Sequence, residues 1–253
     1  MVQREAATVE RVIHDRNLTA WAALVHHRTH RGKSLDFIRN PFLRQVYNDQ
    51  SPYISLMKST QAGVTEWLIC YAITQAIQGM SVFYVLPDLN LIGRFVRNRV
   101  DTVVERTSFY KKSIHAIQGK ASEAMTLKHF GGGVIAFVGS NSKAAFTEFP
   151  ADIAIVDELN ECDPDNIEMV PERLSHSDYR WEIKVGNPTI PEFGISKEFD
   201  ESCRFRWFID CPHCGTEINP DFFVHVVNEV GPGVYRVLDN EYDPDGLEDA
   251  RLI

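Results

Sequence analysis

An apolar run, a glycine-bearing loop and a helical run follow one another from Tyr53 to Gln78, and this triplet constrains the chain more than any other stretch. The run YISLM (Tyr53–Met57) suits a buried strand, and residues 65–78 carry apolar side chains at helical spacing, closed by Gly79 as a stop. Between them lies KSTQAG. A phosphate-binding loop reads G-x-x-x-x-G-K-[ST] between a strand and a helix: its peptide N–H groups cradle phosphates, its lysine reaches the outer ones, and its hydroxyl takes Mg²⁺. Aligned on Gly63 and Thr65, the usual lysine position holds Val64 and the usual first glycine is Lys58. The loop is present with its lysine moved to the beginning.

The displacement is chemically reasonable. A cation is required near the β- and γ-phosphates, and the apolar Val64 cannot supply it. A lysine spans about 6 Å from its Cα, and the two ends of a loop wrapped round a phosphate face each other, so either end can present the ammonium. The candidate nucleotide-binding residues are therefore Lys58, Ser59, Thr60, Gln61, Ala62, Gly63, Val64, Thr65 and Glu66, with Thr65 offering its hydroxyl to Mg²⁺ and the helix N-terminus favouring an anion. A second GKS, at Gly32-Lys33-Ser34, has His27 where the first glycine belongs and no buried strand before it; it reads as a solvated turn.

From Tyr53 onward, strands alternate with helices, the pattern of βαβ units and a mainly parallel sheet. Strands are predicted at 53–57, 82–86, 134–138, 153–156 and 182–185, a second helix at 90–105, and a hairpin joining 125–129 to 134–138 through Gly131-Gly132-Gly133. The expected fold is an α/β P-loop NTPase with helices flanking a central sheet. It would comprise a polar N-terminal helical arm (1–40), the ATPase domain (41–200) and a small cysteine-knuckle or linker segment (201–253). With 253 residues, 44% hydrophobic and 24% charged, the chain can bury a substantial core. No apolar run approaches the ~18 residues of a membrane span, no signal peptide opens the chain, and five scattered cysteines fit a reducing compartment, so the cytoplasm is the expected location and no membrane partner is expected. The net charge of −9 argues against a generally basic surface, so any DNA contact has to come from local patches. The basic run HHRTHRGKS belongs to the N-terminal arm or entry segment.

A second informative stretch is IAIVDE, an apolar strand ending in Asp157 and Glu158. In a nucleotide hydrolase the first such acid holds the Mg²⁺ shell and the next polarises the attacking water. The alternative, a buried strand that happens to end in a solvated acidic turn, loses weight because a phosphate loop precedes it and parallel strands gather their ligands at one carboxyl edge. A third element, KVGNPT, breaks a strand at Gly186, Asn187, Pro188 and Thr189; it is either a group that couples phosphate state to motion or a simple turn. Gln45 and Tyr47 are candidates for an adenine contact, although they also fit an amphipathic turn. Arg94, Arg97, Arg99 and Arg173 are candidates for the arginine that neutralises transition-state charge, and the first three equally suit a DNA-facing or solvated helix. Cys211 and Cys214, in CPHCG, are half of a tetrahedral zinc site, with reduced thiols in a turn as the alternative.

Taken in order, KSTQAGVTE, a strand with LPD, GSNSKAAFTEFPADIAIVDELNECD, a strand ending GNPT, and RFRWFIDCPHCG resemble the ATPase half of the large terminase subunits of tailed bacteriophages. The resemblance covers residues 40–215 and is nearest the lambda-like branch, whose loop is similar to K-S-x-Q-x-G-K-T-E. It implies a Walker A motif at Lys58 to Thr65 and a Walker B motif at Asp157 with Glu158 as catalytic glutamate. GNPT departs from the family's Ser/Thr-rich coupling motif, and Val64 from its usual lysine. The resemblance further implies ATP and Mg²⁺ as cofactors. It also implies a homo-oligomeric ring that threads double-stranded viral DNA through the portal protein, with a small terminase subunit as partner, in the host cytoplasm. The family's nuclease domain is expected to be missing, since about forty residues follow CPHCG, and a two-metal nuclease needs several converging carboxylates on its own sheet. The chain is therefore expected to be an ATPase-domain piece, or else a short natural form, without nuclease activity. Two other readings share some of these features: a helicase-like DNA translocase, which would bring a second ATPase-like domain, and a non-catalytic nucleotide-binding module.

Overall fold

The predicted apolar runs pair into one six-stranded sheet. The computed structural model describes residues 18–35, 37–38, 40–115, 126–210, 215–219, 227–231 and 234–237. The strands are β1 (Tyr53–Met57), β2 (Ser81–Leu86), β3 (Leu127–Phe130), β4 (Gly133–Gly139), β5 (Ile153–Asp157) and β6 (Trp181–Gly186), in the order β1-β6-β5-β2-β4-β3. All neighbours are parallel except β3, which returns antiparallel on β4. The registers pair Met57 with Gly186, Asp157 with Val185 and Leu86 with Gly139, so the carboxyl ends of five strands lie along one edge.

Alternation along the strands feeds two cores. Val82, Tyr84, Leu86, Ile153, Ile155, Ile183 and Val185 face α3 (Val64–Ile77), while Phe83, Val85, Ala154 and Val156 face Phe146, Leu159, Val170, Leu174 and Ile195. Twelve of the fourteen residues of α3 are buried, Trp67, Leu68, Cys70, Ile73 and Ala76 completely. Such a helix is held by its surroundings on every side rather than by one amphipathic face.

One cover is α1 (Leu18–Val25). The sequence suggested a polar arm here, but Ala22 and Ala23 belong to the core, Thr19 Oγ1 lies 2.7 Å from Thr74 Oγ1, and Cys70 Sγ donates to the Thr19 carbonyl. A short helix, α2 (Leu43–Asn48), leads into β1. The predicted helix at 90–105 is continuous but not uniform: α4 (Leu89–Phe95), capped by Asp88 accepting from the Asn90 N–H, passes through a π-helical turn (Val96–Asp101) into α5 (Thr102–Arg106). The next helix is α6 (Ser108–His115). On the opposite face lie the short α7 (Ala145–Glu148), α8 (Pro164–Ile167), α9 (Val170–Arg173) and α10 (Ile195–Asp200).

The chain divides into two compact units at Cys203/Arg204. In the second, β7 (Ile209–Asp210) pairs antiparallel with β8 (Glu217–Ile218), Asn219 Nδ2 donates to the Trp207 carbonyl at 2.7 Å, and β9 (Val227–Gly231) pairs with β10 (Val234–Val237). The candidate zinc ligands Cys211 and Cys214 lie outside the described residues, among which no His/Cys/Asp/Glu cluster suits a metal.

Gly79 and Gly133 stand close together, yet they are glycines for different reasons. Gly79 closes α3 at φ +97° with open space around its missing Cβ; a Cβ on Gly133 would meet the Met80 carbonyl oxygen at 2.2 Å and that of Ala76 at 2.5 Å. Gly79→Ala is expected to cost about 1 kcal/mol, the strain of a left-handed alanine, and Gly133→Ala roughly 3 kcal/mol or more, because backbone has to move. Chemical denaturation of the two variants beside the parent checks the ranking.

Candidate nucleotide site at the carboxyl edge of the sheet

The end of β1 is tied to the end of β6, where the Lys58 N–H donates to the Gly186 carbonyl at 3.0 Å. That bond sets Lys58 on the sheet edge with its side chain turned inward, 7% exposed. Its ammonium donates to Glu158 Oε1 at 2.9 Å and to Asn187 Oδ1 at 3.3 Å. Three motifs that are far apart in the chain thus meet at one cation.

The loop after Lys58 reaches α3 through two left-handed residues, Gln61 (φ +60°) and Gly63 (φ +81°), while Ser59, Thr60 and Gln61 are exposed. Gly63 precedes the helix with no side-chain cap, so the first-turn N–H groups are left for an anion. Val64 is 2% exposed in the main core, next to the helix start, and Thr65 is half-buried. Glu66 departs from its expected role: it turns away from the loop into a buried cluster, where Oε1 lies 3.0 Å from His27 Nε2 and accepts from the His30 N–H at 3.2 Å, and Oε2 lies 3.2 Å from His30 Nδ1. Burial raises the Glu66 carboxyl, but the two histidines hold it below its ordinary range; burial lowers His27, and Cys70 and Glu66 more than offset this, to about 9.

Asp157 ends β5 at 2% exposure. Its Oδ2 accepts from the Tyr84 hydroxyl at 3.1 Å, and its Oδ1 has no hydrogen-bond partner among the described residues. Burial first, then the neighbouring Glu158 charge, pushes its pKa up to about 6, against the pull of the Tyr84 hydroxyl, Lys58 and the Glu158 N–H. A buried carboxylate with one idle oxygen beside a threonine-bearing loop fits a divalent cation, which would neutralise it; Asp157 and Thr65 are the residues that would hold Mg²⁺. Glu158 itself sits at φ +60° and ψ +51°, a strained backbone for a residue with a Cβ, and its half-exposed carboxylate leans on Lys58.

The segment after β6 is linked to the acidic turn. Asn187 reaches Lys58, and Thr189 Oγ1 accepts from Asn160 Nδ2 at 2.9 Å. Asn160 Oδ1 in turn accepts from the Ile195 N–H at 3.0 Å, and a Cβ on Gly186 would come within 3.0 Å of that same oxygen. Asn187 and Thr189 are thus both hydrogen-bonded to residues of the other motifs, Lys58 and Asn160.

Other candidates are placed elsewhere. Tyr47 is buried against Phe37 in the core, so it is not available to stack on a base, and Gln45 is exposed on α2. Arg173 donates to the Thr147 carbonyl at 2.9 Å, bracing α9 on α7, and Arg99 Nη1 lies 2.9 Å from His30 Nδ1. Arg94 and Arg97 are exposed. Sequence reasoning missed Tyr84 and Asn160. Tyr84 gives no local signal, because only the pairing of β2 with β5 brings it to Asp157; Asn160, two residues past the acid pair, was within reach as a polar group on the same turn.

The raised pKa of Asp157 gives a signed expectation. The folded state favours the protonated acid, so this group's contribution to stability is lost as pH rises from about 4 through about 6 and stays lost at neutral pH. Asp157→Asn is expected to stabilise the metal-free chain at pH 7.5 by on the order of 2 kcal/mol, with the gain shrinking below pH 6 and vanishing only below about pH 4. Mg²⁺ is expected to raise the melting temperature of the parent but not of this variant. Tyr84→Phe, which frees the second oxygen, is expected to move the acidic limb of the stability profile to higher pH; thermal melts across pH check both.

The family described as phage terminase large subunit gpA, ATPase domain, matches residues 35–229. Among solved structures, the large terminase ATPase domain of Thermus phage P74-26 is similar at 10% identity, and an arginine-to-alanine mutant of it at 12%; each pairing covers 68% of this chain and 74% of the other at a TM-score of 0.44. No curated protein matches. The family match spans more than half of the sequence and takes in every residue of the Lys58, Asp157, Glu158 and Asn187 site, and the chain belongs to the ATPase-domain family of phage terminase large subunits.

Proposed function

We propose that this chain hydrolyses ATP at the Lys58–Glu158 site and uses the cycle to drive double-stranded viral DNA into a procapsid. The observation that carries the reading is the 2.9 Å pair between Lys58 and Glu158 at the sheet edge, beside Asp157 with its idle oxygen. A cation for phosphate oxygens, a base for water and a carboxylate for a metal stand together, as hydrolysis of a phosphoanhydride requires.

The resting contacts suggest how the groups change partners. Lys58 holds the base while the loop is without phosphate; the γ-phosphate of ATP, carrying more charge than a carboxylate, draws the ammonium to itself and leaves Glu158 free. Glu158 then accepts a proton from the water that attacks the γ-phosphorus, and the bond to the β-phosphate oxygen breaks to give ADP and phosphate. Bound Mg²⁺ supplies charge neutralisation across the phosphates. Movement of Lys58 is felt by Asn187, and through Asn160 and Thr189 by the segment leading to α10, a route by which phosphate state reaches the rest of the domain. Arg94 and Arg97, exposed and without an ion pair among the described residues, are the better-placed arginines for neutralising charge on a neighbouring copy. In this reading the working form is a ring of copies on the portal protein, aided by the small terminase subunit, in the host cytoplasm.

Mg²⁺-dependent ATP hydrolysis by the parent, Lys58→Ala and Glu158→Gln at high protein concentration tests the proposal. Both variants are expected to lose about 10²-fold or more in turnover; Glu158→Gln keeps nucleotide affinity and Lys58→Ala weakens it. Hydrolysis indifferent to both substitutions overturns the proposal, and nucleotide binding with no hydrolysis in any of the three proteins supports a non-catalytic module instead.

A further inference from the structure

The basic run before the first strand folds into a tight turn on the domain surface. Residues 28–34 close through a bridge between Arg28 and Ser34, with the Thr29 N–H donating to the Lys33 carbonyl at 2.9 Å and the Gly32 N–H to the Thr29 carbonyl at 2.7 Å. The turn lies on α5 and α6: the Arg28 N–H donates to Thr107 Oγ1 at 3.0 Å, and His26 stacks on Phe109 with ring centres 5.1 Å apart. Gly32, at φ +76°, leaves room for Arg106, whose Nη1 would stand 2.5 Å from a Cβ there. Lys112 belongs to the same corner: the His26 imidazole is lowered by burial, then by Arg28 and Lys112.

Arg31, Lys33, Arg106 and Lys112 are exposed and form no ion pair among the described residues, and Arg28 donates to its neighbour's carbonyl rather than to an acid. Glu105 is an exposed acid on α5 and pairs with none of them. In a chain of net charge −9, a corner of five cations with no ion pair among the described residues repels itself, and a polyanion relieves that repulsion. The corner is also held firmly. His27 and His30 fasten the turn to Glu66, the residue after Thr65 in the first turn of α3, and Arg99 braces His30 from the helix behind.

We propose that the 28–34 turn, with Arg106 and Lys112, is the surface by which this domain grips the phosphate backbone of duplex DNA, and that Glu66 couples this grip to the nucleotide loop. The assignment rests on the DNA-packaging reading for its partner. The recognition is of phosphate spacing and not of sequence, since the groups that face outward are point charges and guanidinium forks with no aromatic among them.

The test measures binding of a blunt duplex of roughly 30 base pairs to the full chain by fluorescence anisotropy, between ~50 and ~200 mM salt. The parent is expected to bind at the low end and to lose affinity steeply with salt. Arg31→Glu/Lys33→Glu and Arg106→Glu/Lys112→Glu are each expected to bind about tenfold or more weakly, with the salt slope shallower by about 2. Lys197→Glu, an exposed change on α10, should match the parent. Parent-like affinity and slope in both double variants overturns the assignment, as does absence of duplex binding by the parent at low salt, or preferential displacement by a single-stranded oligonucleotide. ATP hydrolysis in the same samples separates the two proposals: parent-level hydrolysis with unaltered DNA binding in the variants refutes this surface alone, whereas no hydrolysis by the parent strikes the site itself.

Discussion

The burial of α3 on all sides is the constraint from which the site takes its form. Its two half-buried members, Thr65 and Ile77, stand near its ends, so the helix cannot rotate or slide without opening the core. That fixes where its first turn points. Val64 goes inward, Thr65 stays at the surface of the loop, and Glu66 goes to the histidines. With Val64 buried in the place of the usual lysine, the cation of this loop comes from the strand side. Lys58 meets that need because β1 ends beside β6, and the ladder carries one step further to hold the lysine's own N–H.

The electrostatics follow from the same geometry. Parallel strands β1, β6 and β5 bring a lysine, an asparagine and two carboxylates to adjacent places on one edge. The two acids are neighbours in sequence yet differ in environment. Asp157 is buried, shares one oxygen with Tyr84 and is driven towards its neutral form; Glu158, turned out by a left-handed backbone, rests against the ammonium. One acid suits a metal and the other a proton because the strand ends between them.

The sheet was largely legible in the sequence, since β1, β2, β4 and β5 are short apolar runs and the loop and the acid pair carry local signatures. β1 falls where the apolar run placed it, and the others differ by a residue or two at their ends. The failures share a cause. The N-terminal segment looked polar over its whole length, yet its apolar run Leu18–Val25 buries Ala22 and Ala23 in the core. For Tyr47 the amphipathic-turn alternative is the one the structure bears out, since it packs against Phe37 in the core. Arg99 and Arg173 were assigned by their charge and Glu66 by its place in the loop motif, and each is occupied by a partner distant in sequence.

The sequence by itself determined the class of chemistry: a strand, an anion-binding loop and an acid-ended strand are written in local composition and spacing, which act within a few residues. Tertiary structure alone decided which atoms work together. That Lys58 reaches Glu158 across a hundred residues, that Tyr84 leaves Asp157 one idle oxygen, and that a basic turn is fastened to the nucleotide-loop helix through Glu66 all depend on strand order and helix burial. These are properties of packing between distant segments, and no local spacing encodes them.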